Sequence, residues 1–309
     1  MEIVTDLQHL PDSVRGGAVT IGNFDGVHLG HARIIQHLTE TAREMGGAAV
    51  VFTFDPHPVR LLRPAEAPPP LTWTDRKAEL LGELGVDVLI AYPTNEALLQ
   101  LEPEAFFEQI VRNCLGARAM VEGTNFFFGH NRAGTVQRLR ELTTSAGIKL
   151  EVVEPVDIGG QPVSSSRVRQ LLAGGNVDLA RSMLTRPYRV RGMVTHGAGR
   201  GAKIGFPTAN LEAIDTLLPG DGVYAGMGHN DGRWPAAINV GANPTFGETT
   251  RKVEVHLIGC DETLYGKPLE LDFFSRIRDI QPFADVHDLQ LQLASDVEQV
   301  KCVVGAVQS

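Results

Sequence analysis

Cysteine is scarce in this chain, with three among 309 residues, at Cys114, Cys260 and Cys302. So few, so far apart, exclude a disulfide framework and lack zinc-ligand spacing; they fit a reducing compartment, and a cytoplasmic location is expected. Long apolar runs are absent too. No stretch approaches the roughly 20 residues needed to span a bilayer, so no membrane role is expected. The opening MEIVTDLQHLPDSVRGG has no basic segment followed by an apolar one, so no signal peptide is expected. Positive charge is also short. Lys and Arg number 28 against 37 Asp and Glu, a formal net charge of −9. That disfavours nucleic acid as a main partner, since backbone binding needs a net basic face. A few local cations can still hold a single polyphosphate. Internal repeats and low-complexity segments are missing as well.

What is present is a globular composition, 43% hydrophobic and 21% charged, over a length that suits two domains. The first 160 residues alternate strands and helices. Strands are expected at Gly17–Ile21, Ala48–Phe54, Val86–Tyr92, Arg118–Val121 and Leu150–Val156. Helices are expected at His31–Met45, Thr74–Leu84 (capped by Thr74), Pro103–Leu115 and Val136–Ala146. This alternation implies a Rossmann-like α/β domain, a parallel sheet with helices on both faces. A Pro-rich excursion, Arg63–Pro70, interrupts it. Short helices at Arg167–Leu172 and Val177–Leu184 lead to Thr185-Arg186-Pro187, read as the linker between domains at 1–184 and 185–309. Beyond it the texture becomes short strands with Gly-rich turns, at 188–196, 222–229, 233–240, 252–259 and 269–276. Asp231-Gly232 marks a hairpin, and the spacing argues for a small antiparallel β-barrel closed by a helix over Val286–Val300.

Each half carries a phosphate-handling signature. In the first, residues 22–31 read GNFDGVHLGH. Gly22, Gly26 and Gly30 let the backbone turn tightly, with Phe24 and Asp25 between them. The loop falls at the carboxyl end of a strand, where parallel sheets place ligands. If His28 and His31 lie in the first turn of the next helix, they share a face beside an N-terminus that favours anions. Two imidazoles there would stabilise charge on phosphate oxygens. Incidental histidines would be the better explanation of a bare HxxH. The fuller GxFDGxHxGH fixes seven positions, a chance event on the order of one in a million.

In the second half, Gly197–Asn210 reads GAGRGAKIGFPTAN. Gly197 and Gly205 permit a flap over phosphates, with Arg200 and Lys203 as its cations and Pro207 before Thr208. The Thr208 hydroxyl and Asn210 carbonyl are hard oxygen donors suited to Mg²⁺ shared with a nucleotide. In KVEVHLIG the alternation sends Val253, Val255 and Leu257 one way and Glu254 and His256 the other. A carboxylate facing a polar cavity can act as general base for an alcohol, whereas His256 reads as structural.

The first motif resembles the HxGH nucleotidylyltransferases, and its FD points to the FMN adenylyltransferase branch. FTFDPHP at 52–58, EGTNFFFGHNRAG at 122–134 and VSSSRVR at 163–169 agree in order. The last is similar to the family's ISSTxIR element, with Ser166 in place of Thr. The second half resembles the riboflavin kinase domain through PTAN, GVYAG at 222–226, NVGANPTFG at 239–247, VEVHL at 253–257 and LYG at 264–266. The resemblance implies a prokaryotic bifunctional FAD synthetase. Riboflavin and ATP with Mg²⁺ would give FMN, and FMN with a second ATP would give FAD and pyrophosphate. It further implies that His28, His31, Ser164 and Arg169 serve adenylylation, Ser165 and Ser166 bind phosphate, Asn125 and Phe128 lie near the flavin, and Glu254 is the kinase base. Two departures stand out. Relatives often have Asp and Arg where this chain has Asn125 and Phe127, and RGR where it has Arg200-Gly201-Ala202. Two alternatives follow: a kinase with weakened adenylylation, or a flavin sensor without turnover. Oligomeric state is left open.

Overall fold

The computed structural model describes residues 1–197, 199–242 and 250–308. The chain divides into two compact units, one of Met1–Pro68 with Trp73–Ser164, the other of Pro69–Thr72 with the chain from Ser165 onward.

The first unit is built on a parallel sheet of β1 (Glu2–Val4), β2 (Ala18–Ile21), β3 (Ala49–Asp55), β4 (Val88–Pro93), β5 (Ala119–Gly123) and β6 (Lys149–Val153), in the order β1-β4-β3-β2-β5-β6. Its strands are nearly continuous apolar runs because both faces are covered. Val19, Ile21, Val50, Phe52, Val88, Ile90 and Met120 enter one core layer. Their neighbours Ala18, Ala49, Val51, Leu89, Ala119 and Val121 enter the other. The second layer is filled by α1 (Leu29–Met45), through Ile35, Leu38 and Ala42, and by α2 (Thr74–Glu83), through Ala78 and Leu81. Each fully buried Leu, Ile or Phe contributes about 1.5–3 kcal/mol. α1 stops at Gly46, whose φ of 64° is left-handed and sends its amide back to the Ala42 carbonyl.

Some boundaries differ from expectation. β1 was not expected; at three residues it is too short to show a period. The expected helix at 103–115 is one α-turn followed by a wider, π-type helix over Phe107–Cys114. The N-cap of α2 is Trp73; Thr74 is already helical, and its hydroxyl bonds the Asp55 carboxylate instead.

In the second unit, α3 (Ser165–Ala173) and α4 (Val177–Met183) precede six strands: β7 (Tyr188–Thr195), β8 (Ala209–Glu212), β9 (Gly222–His229), β10 (Arg233–Gly241), β11 (Lys252–Leu257) and β12 (Pro268–Arg278). They form a closed antiparallel barrel, β7-β8-β11-β10-β9-β12. β8 begins at Ala209 within the PTAN motif, where a loop is expected, and runs on to Glu212. The terminal helix α5 (Val286–Gln308) outlasts the expected Val300, and its Val300 and Val304 pack on Ala225, Met227 and Phe274.

Candidate active sites

The helix of the first motif starts one residue later than His28, so His28 caps it. Its backbone is extended, and its Nδ1 accepts the His31 amide at 3.3 Å. That bond leaves Nε2 to carry the proton of the neutral ring. The two imidazoles stack, centroids 3.6 Å apart and 16° from parallel, and Phe24 leans on His31 at 5.0 Å. The preceding loop is bent at Phe24 (φ 45°), Gly26 (φ 82°) and Val27 (φ 39°). Positive φ at two bulky residues is strain of the kind found at ligand-holding loops.

Burial sets the electrostatics here. His28 is 6% exposed, and burial lowers its pKa to about 4. His31 is also lowered well below its ordinary value, by burial first and then by His28 and Lys77. Both rings are therefore neutral at pH 7, hydrogen-bonding groups and not cations. The positive charge belongs to Lys77, 8% exposed, which the sequence reading missed. Its ammonium approaches the Thr53 hydroxyl at 3.4 Å, and burial lowers its pKa while Asp25 and Asp55 hold it up. Two polar atoms in this loop, Asn23 Oδ1 and His31 Nδ1, are buried without a protein partner.

In the loop after β5 a turn joins the Phe126 amide to the Gly123 carbonyl, leaving Asn125 exposed. Phe128 is packed in the core against Phe106 and Phe126. The exposed ring is Phe127, with the Arg132 guanidinium 4.7 Å above it. Ser164 ends the first unit, while Ser165, Ser166 and Arg169 belong to α3 in the second, where Arg169 donates to the Pro69 carbonyl.

The second unit contains a cavity of about 150 Å³ on the outside of the barrel, walled by the flap and by Leu289, Leu293 and Val297 of α5. Its floor is set by register. Asn210 on β8 and Asn239 on β10 both stand directly opposite Glu254 on β11, making a row of amide, carboxylate and amide. Thr208 and Arg200 line the same cavity. The flap folds as a helical turn, Arg200–Lys203, pinned where Gln290 of α5 donates to the Ile204 carbonyl at 3.3 Å. Lys203, Gly205 and Pro207 frame this wall without lining it. His256 Nδ1–H donates to the Pro207 carbonyl at 2.8 Å, which assigns it the structural part expected. A Cβ on Gly197 would fall 1.9 Å from the Asn210 amide nitrogen.

Sequence reasoning missed Asn239 although it opens the NVGANPTFG segment; residues 243–247 of that segment lie outside the described residues. It also missed Arg278 and Asp296, both on the cavity wall. Asp296 is 1% exposed and receives two arginine nitrogens at 2.8 and 3.0 Å, with Gln292 donating at 2.8 Å.

Thr208 and Asn210 offer neutral oxygens. Among the described residues no group of three His, Cys, Asp or Glu could hold a metal alone. This donor set fits Mg²⁺, which takes few protein ligands and completes its shell with phosphate and water.

A dihistidine loop on an α/β sheet in one unit and an amide-carboxylate row on a barrel in the other define a two-site, nucleotide-using transferase. Residues 10–167 match the family model for FAD synthetase and residues 184–304 that for riboflavin kinase. The bifunctional riboflavin kinase/FMN adenylyltransferase of Pseudomonas fluorescens is 35% identical, over 99% of this chain and 98% of its own. That of Escherichia coli K12 is 33% identical, over 96% of each. The chain belongs to the bifunctional riboflavin kinase/FMN adenylyltransferase family. It is also similar to a crystal structure described as a macrolide-efflux protein from Streptococcus pneumoniae, 28% identical with TM-score 0.86, covering 97% of this chain and 98% of that one. Among the described residues no helix is long and apolar enough to cross a membrane.

Proposed function

We propose that the chain phosphorylates riboflavin to FMN at the barrel and adenylylates FMN to FAD at the dihistidine loop, with ATP the co-substrate of both steps. The observations that carry this reading are the row Asn210–Glu254–Asn239 on a cavity wall in one unit and, in the other, a His28–His31 stack in which His28 caps a helix.

In the kinase step Glu254 takes the proton of the ribityl 5′-hydroxyl, whose oxygen attacks the γ-phosphorus of ATP and expels ADP. Asn210 and Thr208 would hold Mg²⁺, which neutralises phosphate charge. Asn239 orients the Glu254 carboxylate from the opposite side. Arg200 and Lys203 on the flap bring cations to the nucleotide, and the apolar faces of Leu289 and Leu293 exclude water.

In the adenylylation step an FMN phosphate oxygen attacks the α-phosphorus of a second ATP and pyrophosphate leaves. No covalent enzyme intermediate is needed, so positioning and charge stabilisation carry the step. The neutral His28 donates from Nε2 to a phosphoryl oxygen, and the α1 N-terminus adds its amides. Asn125 is exposed beside this loop and available to flavin, and Phe127 offers the accessible ring. For Ser164, Ser165, Ser166 and Arg169 the support is the motif itself. Riboflavin, FMN, FAD, ATP, ADP and pyrophosphate are then the ligands, and the reaction suits the cytoplasm.

Purified protein incubated with riboflavin, ATP and Mg²⁺, with flavins resolved by chromatography over time, tests the reading. FMN that appears and then gives way to FAD supports two sites in series. Absence of FMN overturns the kinase assignment, and persistent FMN overturns the adenylylation assignment.

A further inference from the structure

The sheet of the first unit forks at its centre. β2 and β5 pair only at Ala18–Ala119 and Val19–Met120, then separate toward their carboxyl ends. The fork is also where strand order reverses, since β3 and β4 lie to one side of β2 and β5 and β6 to the other. Ligands of open parallel sheets bind in such a crevice. Its two banks are the loop from Gly22 to His28, leaving β2, and the loop from Thr124 to Phe128, leaving β5.

When strands part, the backbone amides that would have continued the ladder need other partners. The Ile21 amide is the last of β2, one residue before Gly22. It finds the carboxyl of Glu122, whose Oε1 accepts it at 2.8 Å. Glu122 is 2% exposed and lies on the penultimate residue of β5, so a side chain from one bank holds the backbone of the other. A hydrocarbon here would leave the buried amide unpaired.

Burial drives the Glu122 pKa well above the ordinary carboxylate range, with the Ile21 amide opposing only part of the shift. Burial therefore favours the uncharged carboxyl. A neutral acid accepts the amide without placing a negative charge beneath a loop that must receive polyphosphate.

We propose that Glu122 is a positioning residue for FMN adenylylation: its buried carboxyl bridges the β2–β5 fork and fixes the base of the GNFDGVHLGH loop. Glu122 touches no reacting atom; it acts through the backbone of Ile21 and Gly22. This inference rests on the assignment of FAD formation to the first unit.

Both half-reactions are measured on the full-length protein carrying Glu122→Gln, Glu122→Asp or Glu122→Val. Glutamine keeps a neutral acceptor of the same reach and should retain FAD formation within about threefold, which is under 1 kcal/mol. Valine should lower kcat for FAD formation more than tenfold while FMN formation is unchanged. Hydrogen exchange should show the Ile21 amide losing protection in the valine variant and keeping it in the glutamine variant. Aspartate is one methylene short and should fall with valine.

If Glu122→Val keeps full FAD-forming activity, or if glutamine is as damaging as valine, the inference is overturned. If the valine variant fails to fold, the glutamine–aspartate pair decides. An active aspartate variant with an inactive glutamine one shows that charge, not the neutral bridge, matters, and overturns it equally. Failure of the unsubstituted protein to make FAD would overturn the functional assignment instead.

Discussion

The two sites hold charge in opposite ways. In the first unit the groups at the ligand loop are buried and largely discharged, with both imidazoles neutral and a lysine tucked beside two aspartates. In the barrel the ionisable groups line an open cavity, with Glu254 between two amides and Arg200 on the flap. The chemistry accounts for the contrast. Adenylylation joins two anions, and an active site that positions phosphates needs hydrogen-bond donors and no base. Phosphorylation of an alcohol needs a group that takes a proton, and that group must face the cavity where the alcohol would lie.

The sharpest way to break this comparison is to remove one member from each side. His28→Ala should lower FAD formation by about 10²–10⁴-fold and leave FMN formation alone. Glu254→Ala should do the converse, tested with FMN supplied directly for the adenylylation assay. If either change silences both reactions, the two sites are not independent.

A pH titration of stability probes the discharged state of the first site. His28 falls from 6.5 to about 4 on folding, so between those values the unfolded chain binds a proton that the folded chain does not. Its contribution is complete above pH 6.5 and is lost as pH falls toward 4, about 3 kcal/mol in all. His31 shifts in the same direction and adds to it. The chain has two tryptophans, Trp73 in the first unit and Trp234 in the second. Denaturant unfolding followed through Trp73 in a Trp234→Phe background should show this decline, and His28→Ala should flatten it. A wild-type curve flat from pH 6.5 to 5 would mean that the histidines are not buried as described.

How far the sequence revealed this arrangement depends on the range of the interaction. The parallel sheet and barrel were legible because strand and helix periods are local, and the dihistidine loop because its residues are consecutive. What required long-range pairing was not legible. Glu122 and Ile21 are 101 residues apart, and nothing in MVEG announces which amide the carboxyl meets. Lys77 sits on a helix whose pattern makes it one more charged residue. Asn239 becomes a neighbour of Glu254 only when β10 pairs with β11. Even the His28–His31 pair departs from expectation in one respect: the spacing suggests a shared helical face, and capping instead places one residue outside the helix.

The flap glycine sharpens the kinase side. Gly197→Ala would drive its methyl into the Asn210 side chain, which can yield only by leaving the row beside Glu254. A displacement of that size costs about 10²-fold in kcat/KM for riboflavin phosphorylation. Circular dichroism should be unchanged, since the obstacle is the end of a side chain and not backbone. Unaltered kinetics would remove Asn210 from the site.

The smallest effect expected comes from His256, which separates a scaffold from a participant within one strand. It faces the cavity two residues from Glu254, where position alone would make it a second catalytic candidate. Its Nδ1–H, however, is committed to the Pro207 carbonyl, and its ring meets Phe206 edge-on at 5.7 Å, both on the segment leading to Thr208. Loss of that one hydrogen bond should cost about 1 kcal/mol, near fivefold, and appear in KM for ATP with kcat intact. His256→Asn should recover most of it, because the asparagine amide nitrogen lies close to where Nδ1 stood. A large loss of kcat on His256→Ala, unrelieved by asparagine, would instead place the imidazole in the proton path and dissolve the division of labour between Glu254 and its neighbours.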